Sequence, residues 1–253
     1  MGHKRLNRSM LAEKERQALL WLAARTPGFI FPDHLTILGL IGSVLTAVGF
    51  VACRVSPWFL AVAISGLLLN WFGDSLDGTL ARYRKIERPR FGYFVDHSCD
   101  LIAQTLTFLG LGLSPYFTLS SALFALSMYL LMSSYTYLKV FILRSHQLAY
   151  GGMGATEMRL LIAGWALFAL WAGPEFVRAT FLSLRTLDAV IGVLWMLSFF
   201  GFMWIVANDL SKFDEAPRQT GGPPEPPTTF IESPQSETET RHDALRVSAE
   251  HFR

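Results

Sequence analysis

The chain has 253 residues, of which 51% are hydrophobic and only 17% charged, and its formal net charge is +2. A water-soluble domain of this length usually carries more charge, and so small a net charge argues against a nucleic-acid partner. The apolar residues fall in blocks of roughly 17–25, the length a helix needs to cross hydrocarbon. The expected fold is therefore all-α: a polytopic membrane protein with six transmembrane helices and an N-terminal amphipathic surface helix. The two cysteines, Cys53 and Cys99, form no metal-ligand or redox pair. Both lie in or beside apolar blocks and read as free, buried thiols. The first residues are polar (Gly2, His3, Lys4, Arg5), so no cleavable signal peptide is expected.

Residues 1–8 are basic. Residues 9–25 read as one helix in which Met10, Leu11, Leu19, Leu20 and Leu22 are apolar and Glu13 to Arg16 are charged. It is too polar to span, and two readings stand: a helix lying on the membrane surface or one packed on the protein. Thr26-Pro27-Gly28 breaks it, and Pro32-Asp33-His34-Leu35-Thr36 starts the first span, about 34–53. Arg54, Ser56 and Pro57 turn the chain into a second helix, about 57–82. The basic connection 83–91 leads to a third, about 92–113, and Ser114-Pro115 to a fourth, about 117–143. A glycine-rich turn (Gly151, Gly152, Gly154) precedes a fifth span of about 157–173. Residues 174–186 read as a short interfacial helix, with Arg178 and Arg185 snorkelling, before a sixth span of about 187–208.

Beyond Leu210 the chain is rich in Pro, Ser, Thr, Glu and Gln. Such a segment cannot bury enough surface to offset its ordering entropy. Three regions are expected: residues 1–33 as a basic N-terminus and interfacial helix, 34–210 as a six-helix transmembrane catalytic domain, and 211–253 as a disordered cytoplasmic tail. Six spans put both termini on one side. Lysines and arginines concentrate before the first span, between the second and third, and around the turn between the fourth and fifth. Cytoplasmic loops carry that excess, so the termini and the 74–100 region are expected to face the cytoplasm.

That region carries the chemistry. Asp74, Asp77, Gly78, Ala81 and Arg82 fall at helical offsets that share one face, and Gly92, Asp96 and Asp100 are four apart on the next helix. Two antiparallel helices joined by a short loop bring these faces together, so four carboxylates converge at the membrane boundary. Unpaired, they repel one another and lose solvation. One or two divalent cations resolve both problems. All-oxygen ligands suit Mg²⁺ or Mn²⁺, and two such ions about 4 Å apart clamp phosphate oxygens during in-line displacement. Gly78 and Gly92 remove bulk where a ligand approaches the backbone, and Arg82 with the 83–91 basic residues can pair with phosphate. A lone intramembrane Asp reads as a packing group, and a pair as a proton relay. Four, phased with an arginine and two glycines, read as a functional site. A cation transporter and a non-catalytic scaffold are the competing classes. A cation path gains nothing from a fixed arginine, and no candidate ligand is missing.

The stretch Asp74–Arg82, a nine-residue spacer and Gly92–Asp100 resemble the signature D-x-x-D-G-x-x-A-R…G-x-x-x-D-x-x-x-D of the CDP-alcohol phosphotransferase (phosphatidyltransferase) family. The likeness covers about residues 9–210. It implies that Asp74, Asp77, Asp96 and Asp100 bind a two-metal centre of Mg²⁺ or Mn²⁺ and that Asp100 is the general base. It also implies that Gly78, Ala81, Arg82 and Gly92 frame the cytidine diphosphate, with Thr36 beside it. An alcohol would attack the phosphorus next to the CMP leaving group in phospholipid biosynthesis. The family often carries P-N-x-L-T before its first span. Asp33 stands here in place of Asn, either near the nucleotide or as a helix N-cap.

The small size and the nine-residue spacer resemble bacterial phosphatidyltransferases, which implies CDP-diacylglycerol as donor, a polar alcohol acceptor and a bacterial inner membrane. The Asp96-His97 pair resembles instead the branch that moves phosphocholine or phosphoethanolamine from a CDP-amino-alcohol to diacylglycerol. His97 itself points away from Asp96 around the helix, toward a packing role. Glu157 and Arg159, like Lys139 and Arg144, are either acceptor contacts or interfacial anchors. A homodimer is implied by the resemblance alone.

Overall fold

A computed structural model describes residues 10–143, 155–181 and 184–214. The described chain runs α1 (Met10–Arg25), α2 (Pro32–Ala52), α3 (Phe59–Arg84), α4 (Pro89–Gly112), α5 (Leu119–Leu143), α6 (Ala155–Ala172), α7 (Pro174–Arg178), β1 (Thr180–Phe181), β2 (Leu184–Arg185) and α8 (Thr186–Asp214). Each helix expected as a span is present, with its first residue within three of the expected one. The basic residues 1–8, the turn with Gly151, Gly152 and Gly154, Arg144 and the tail beyond Asp214 lie outside the described residues.

Four of the described helices are long and apolar enough to cross a membrane: α2, α3, the Leu119–Val140 part of α5 and the Thr186–Ser211 part of α8. The α4 helix carries the polar stretch from Asp96 to Asp100, and α6 is short, with Glu157 and Arg159 in its first turns. The expected interfacial helix over 174–186 is not what forms. Gly173, with φ at 84°, turns the chain into the five-residue α7, and an antiparallel strand pair follows with Thr180 opposite Arg185. A one-turn helix leaves no room for an amphipathic face of its own.

The α2 and α3 helices form the most extensive helix pair, and their seam is built from small residues. A Cβ at Gly42 would lie 2.5 Å from the Asn70 backbone nitrogen, and one at Gly66 2.5 Å from that of Thr46. Gly73 meets the backbone of Leu35 and Gly39 in the same way. Association inside a bilayer rests on such close approach, because lipid chains are as apolar as leucine. Helix α4 joins the seam where Gly110 meets Ala47. The Ser43 and Thr46 hydroxyls, buried in the contact, donate back to the carbonyls of Gly39 (3.1 Å) and Gly42 (2.9 Å).

One apolar cluster lies toward the α2–α3 turn and gathers Phe50, Leu60, Leu67, Phe108, Leu126 and Ile162. A second lies at the other end of α3 and holds Leu19 and Ala23 of α1 against Leu35, Leu76 and Leu80. Helix α1 is thus packed on the protein along one face. The Glu15 carboxylate accepts the Trp71 indole N–H at 2.8 Å, while Leu20 and Trp21 stay exposed.

Helix α2 begins at Pro32, whose ring suits the first helical position. Its flanking residue is Phe31, so Asp33 is not the N-cap and sits instead in the first turn. Helix α3 ends at Lys85 in the left-handed conformation, φ 57°. Just before it, the Arg84 guanidinium donates to the carbonyls of Ile30 (2.6 Å), Thr26 (2.9 Å) and Pro27 (2.9 Å), pinning the α1–α2 loop. Two compact units are distinguished, Met1–Ile205 and Val206–Arg253, and the described part of the second is the last stretch of α8.

Candidate metal centre and its two pockets

Leu76 and Leu80 turn one face of α3 into the cluster with α1 and α2. Helical phase leaves Asp74 and Asp77 on another face, toward α4. Asp96 and Asp100, four apart, project back from α4. One carboxylate oxygen from each of Asp74, Asp96 and Asp100 lies within 4.8 Å of the others. At that separation two ionised carboxylates repel by about 3–4 kcal/mol at an effective dielectric of about 20. Three such pairs call for more than one positive charge. All the donors are hard oxygens, and the set fits a divalent cation of the Mg²⁺ or Mn²⁺ kind.

Asp77 lines the same pocket and is held separately. The Thr36 hydroxyl donates to its Oδ2 at 2.6 Å, and the Gly78 backbone N–H approaches its Oδ1. Thr36 is therefore joined to the carboxylate cluster, in a position to orient Asp77. Gly78 carries the Arg82 guanidinium over it, 3.3 Å from where a Cβ would stand. Arg82 is exposed and donates to the Thr79 hydroxyl at 3.3 Å. Ala81 is half-buried on the same helix. Gly92, in the first turn of α4, is exposed with open space around it.

Arg159 reaches this centre from α6. Its guanidinium donates to Asp74 Oδ2 at 2.8 Å and to Asn70 Oδ1 at 2.9 Å, and its side chain is only 14% exposed. Asn70 passes the restraint on, donating to the Ser43 hydroxyl (2.9 Å) and the Gly39 carbonyl (3.1 Å) of α2. Three helices are thus tied to one metal-ligand candidate. Arg159 was legible only as an acceptor contact or an anchor. Asn70, four residues before Asp74 in an apolar run, was the available signal for this network, since such residues seldom sit idle in spans.

On the other side, Tyr137 of α5 stands with its hydroxyl 3.4 Å from Asp100 Oδ2. Its ring stacks on His97 at 4.0 Å between centroids, and Tyr93 meets the same imidazole edge-on at 4.1 Å. His97 is packed between two tyrosines. Its Nδ1 lies 3.4 Å from Asp96 Oδ2, yet neither ring nitrogen has a hydrogen-bonding partner. Asp33 pairs with Arg88, the residue preceding α4. That contact gives the Asp at this position an ion pair and takes one loop arginine into structure, as the α1–α2 loop takes Arg84.

Two pockets meet at the cluster. The first lies among α2, α3 and α4 and is lined by Thr36, Asp74, Asp77, Asp96 and Asp100, with Cys99 beside them. The second is a partly open cleft among α3, α4, α5 and α6. Asn70 and Asp100 line both, so they form the shared wall. Cys53 is buried and Cys99 half-buried, and both thiols are free.

A helical bundle with four long apolar helices among the described residues and an aspartate cluster across two facing helices defines a class. The family model described as CDP-alcohol phosphatidyltransferase matches residues 29–206, and the chain belongs to that family. Among curated proteins, it is 27% identical over 190 residues to cholinephosphotransferase 1 of Gallus gallus, covering 69% of this chain and 54% of that protein. It is 24% identical over 206 residues to cholinephosphotransferase 1 of Danio rerio, covering 74% and 52%. The CDP-diacylglycerol–serine O-phosphatidyltransferase of Encephalitozoon cuniculi is 31% identical over 121 residues, 44% of this chain and 31% of that protein. The chain spans about half the length of the cholinephosphotransferases it matches.

Proposed function

We propose that the chain transfers a substituted phosphate group from a CDP-alcohol to an alcohol hydroxyl in phospholipid biosynthesis, releasing CMP. The observation that carries this reading is Asp100: it belongs to the three-carboxylate cluster and also lines both pockets. A base that touches two pockets can take a proton from one substrate while the other is held.

Asp74, Asp77, Asp96 and Asp100 would hold two Mg²⁺ or Mn²⁺ ions. When bound, such ions neutralise phosphate oxygens and the charge that grows on the departing phosphate. The chain's own groups do the rest. Thr36, Gly78, Ala81, Arg82 and Gly92 frame the cytidine diphosphate, and Arg82 pairs with its phosphates. Asp100 takes the acceptor's hydroxyl proton. The acceptor oxygen forms a bond to the phosphorus that carries the donor's alcohol, and the bond from that phosphorus to the CMP oxygen breaks, its electron pair leaving with CMP. Arg159 and Asn70 hold Asp74 in place throughout.

Two donor readings stand. CDP-diacylglycerol with a polar acceptor rests on chain size and spacer length. A CDP-amino-alcohol with diacylglycerol as acceptor is favoured by Asp96-His97 and by the names of the Gallus and Danio relatives. We place the helices α2, α3, α4, α5, α6 and α8 across the membrane as six spans. Helix α1 lies at the interface with Leu20 and Trp21 toward lipid, and both termini and the metal centre are cytoplasmic by the distribution of basic residues. The relatives named are eukaryotic, so a bacterial membrane rests on chain size and spacer length. A homodimer completes the reading, with the tail beyond 210 as a disordered extension. The test is a donor and acceptor panel on the purified full chain, with CDP-diacylglycerol and CDP-choline tried separately, reading CMP and the lipid product by mass. CMP from one donor with Mg²⁺ or Mn²⁺ supports the proposal, and none from any pairing overturns it.

A further inference from the structure

The second pocket has a composition unlike the first. Beyond Asp100 it is walled by Ala103, Phe108, Met158 and Ile162, with Gln104, Thr107 and Tyr129 as polar groups. Its one cation among the described residues, Arg159, is already committed to Asp74 and Asn70. Along α4 the lining runs from Asp100 to Phe108, a climb of about 12 Å away from the basic connection at the start of that helix. The pocket therefore extends inward, toward the clustered apolar side chains of Phe108 and Ile162. One feature in it lacks a partner: Gln104 Oε1, one turn beyond Asp100, is buried with no hydrogen bond. A buried carbonyl oxygen left unpaired costs about 1–3 kcal/mol, and a ligand hydroxyl would satisfy it.

We propose that this cavity is the acceptor site, that its occupant is an uncharged hydroxyl-bearing lipid, and that Gln104 is its specificity-determining polar contact. The inference rests on the transferase reading above for its chemistry and selects between the two donor readings. A phosphorylated or zwitterionic acceptor would bring charge into a cleft whose one cation among the described residues is spent. A neutral lipid brings an apolar body that the Phe108, Met158 and Ile162 wall can cover, and a hydroxyl that reaches Asp100 past Gln104. The nucleotide then approaches from the loop side and the lipid from the hydrocarbon side.

The experiment uses the full chain in phosphatidylglycerol nanodiscs, with a diacylglycerol that carries a photoreactive diazirine in one acyl chain. Labelling is expected on the α4 and α6 peptides that hold Phe108 and Ile162, with competition by unlabelled diacylglycerol and none by glycerol 3-phosphate or serine. Ala103→Trp, which fills the cavity, should abolish that label. In turnover, Gln104→Leu should raise the KM for diacylglycerol by about tenfold while the donor KM moves by less than about twofold, and Gln104→Asn should recover part of the loss. Label spread over the lipid-facing helices and indifferent to Ala103→Trp overturns the proposal. So does an unchanged acceptor KM in Gln104→Leu, or a preference for glycerol 3-phosphate or serine as acceptor. Specific labelling without CMP release from any donor would sink the transferase reading and leave the lipid site standing. CMP release without specific labelling would do the reverse.

Discussion

The side of α3 that meets α2 and the side that meets α4 and α6 follow opposite rules. On the first, Gly66 and Gly73 bring backbone against backbone and admit no further atom. On the second, Asp74, tied to Arg159 of α6, shares open space with Asp96 and Asp100 of α4. The close-packed seam is what makes the open site possible. Carboxylates at this depth stay apart from one another only if the helices that carry them cannot drift, and the glycine contacts remove that freedom.

Substitutions should separate the two sides. The largest effect is expected at Asp100. Asp100→Asn keeps the shape and removes the proposed base, and CMP release should fall by about 10³-fold or more with the chain still folded, as read by turnover beside size-exclusion profiles. Gly66→Val should do the opposite. It forces branched carbon into the Thr46 and Gly42 backbone, costing about 3 kcal/mol, and the loss should register as unfolding in a thermal melt before any activity is read. Arg159→Gln, which breaks the tie to Asp74 but leaves the ligands, should weaken divalent-ion affinity by about 10–100-fold without lowering the melting temperature comparably. Isothermal titration with Mn²⁺ would measure it.

The smallest effects lie away from both sides. Lys85→Gly should stabilise by about 1 kcal/mol, because glycine adopts the left-handed C-terminal conformation without strain. Arg88→Ala should cost under about 1 kcal/mol, since that residue and Asp33 are about half exposed.

Much of the open side was legible in the amino-acid sequence. Helical phase alone placed Asp74 and Asp77 on one face and Asp96 and Asp100 on the next, because those spacings belong to single helices. The helices themselves were readable from apolar block length. What was not readable depends on which distant helices meet. Arg84 looked like a phosphate ligand and pins the α1–α2 loop. Arg159 comes to Asp74 from 85 positions away. Tyr137 closes on His97 from α5, which no periodicity within α4 announces, whereas Tyr93 stands four residues before His97 on the same helix face. The seam itself had a signal: Gly39, Gly42 and Gly49 on one helix and Gly66 and Gly73 on the next are the small-residue spacing of packed membrane helices. The short strand pair after α7 had none, since so few residues carry no alternation to read.

The proposed function makes the Asp74–Asp96–Asp100 cluster a divalent-metal site that handles a CDP-linked donor. The most direct test is CMP release by the purified full chain as Mn²⁺ is titrated back after chelation, with CDP-choline and CDP-diacylglycerol as donors and Asp74→Asn in parallel. CMP release from one of these donors should be absent without metal, saturate with Mn²⁺ and be lost in Asp74→Asn. Release that persists under full chelation, or that Asp74→Asn leaves intact, would contradict that assignment.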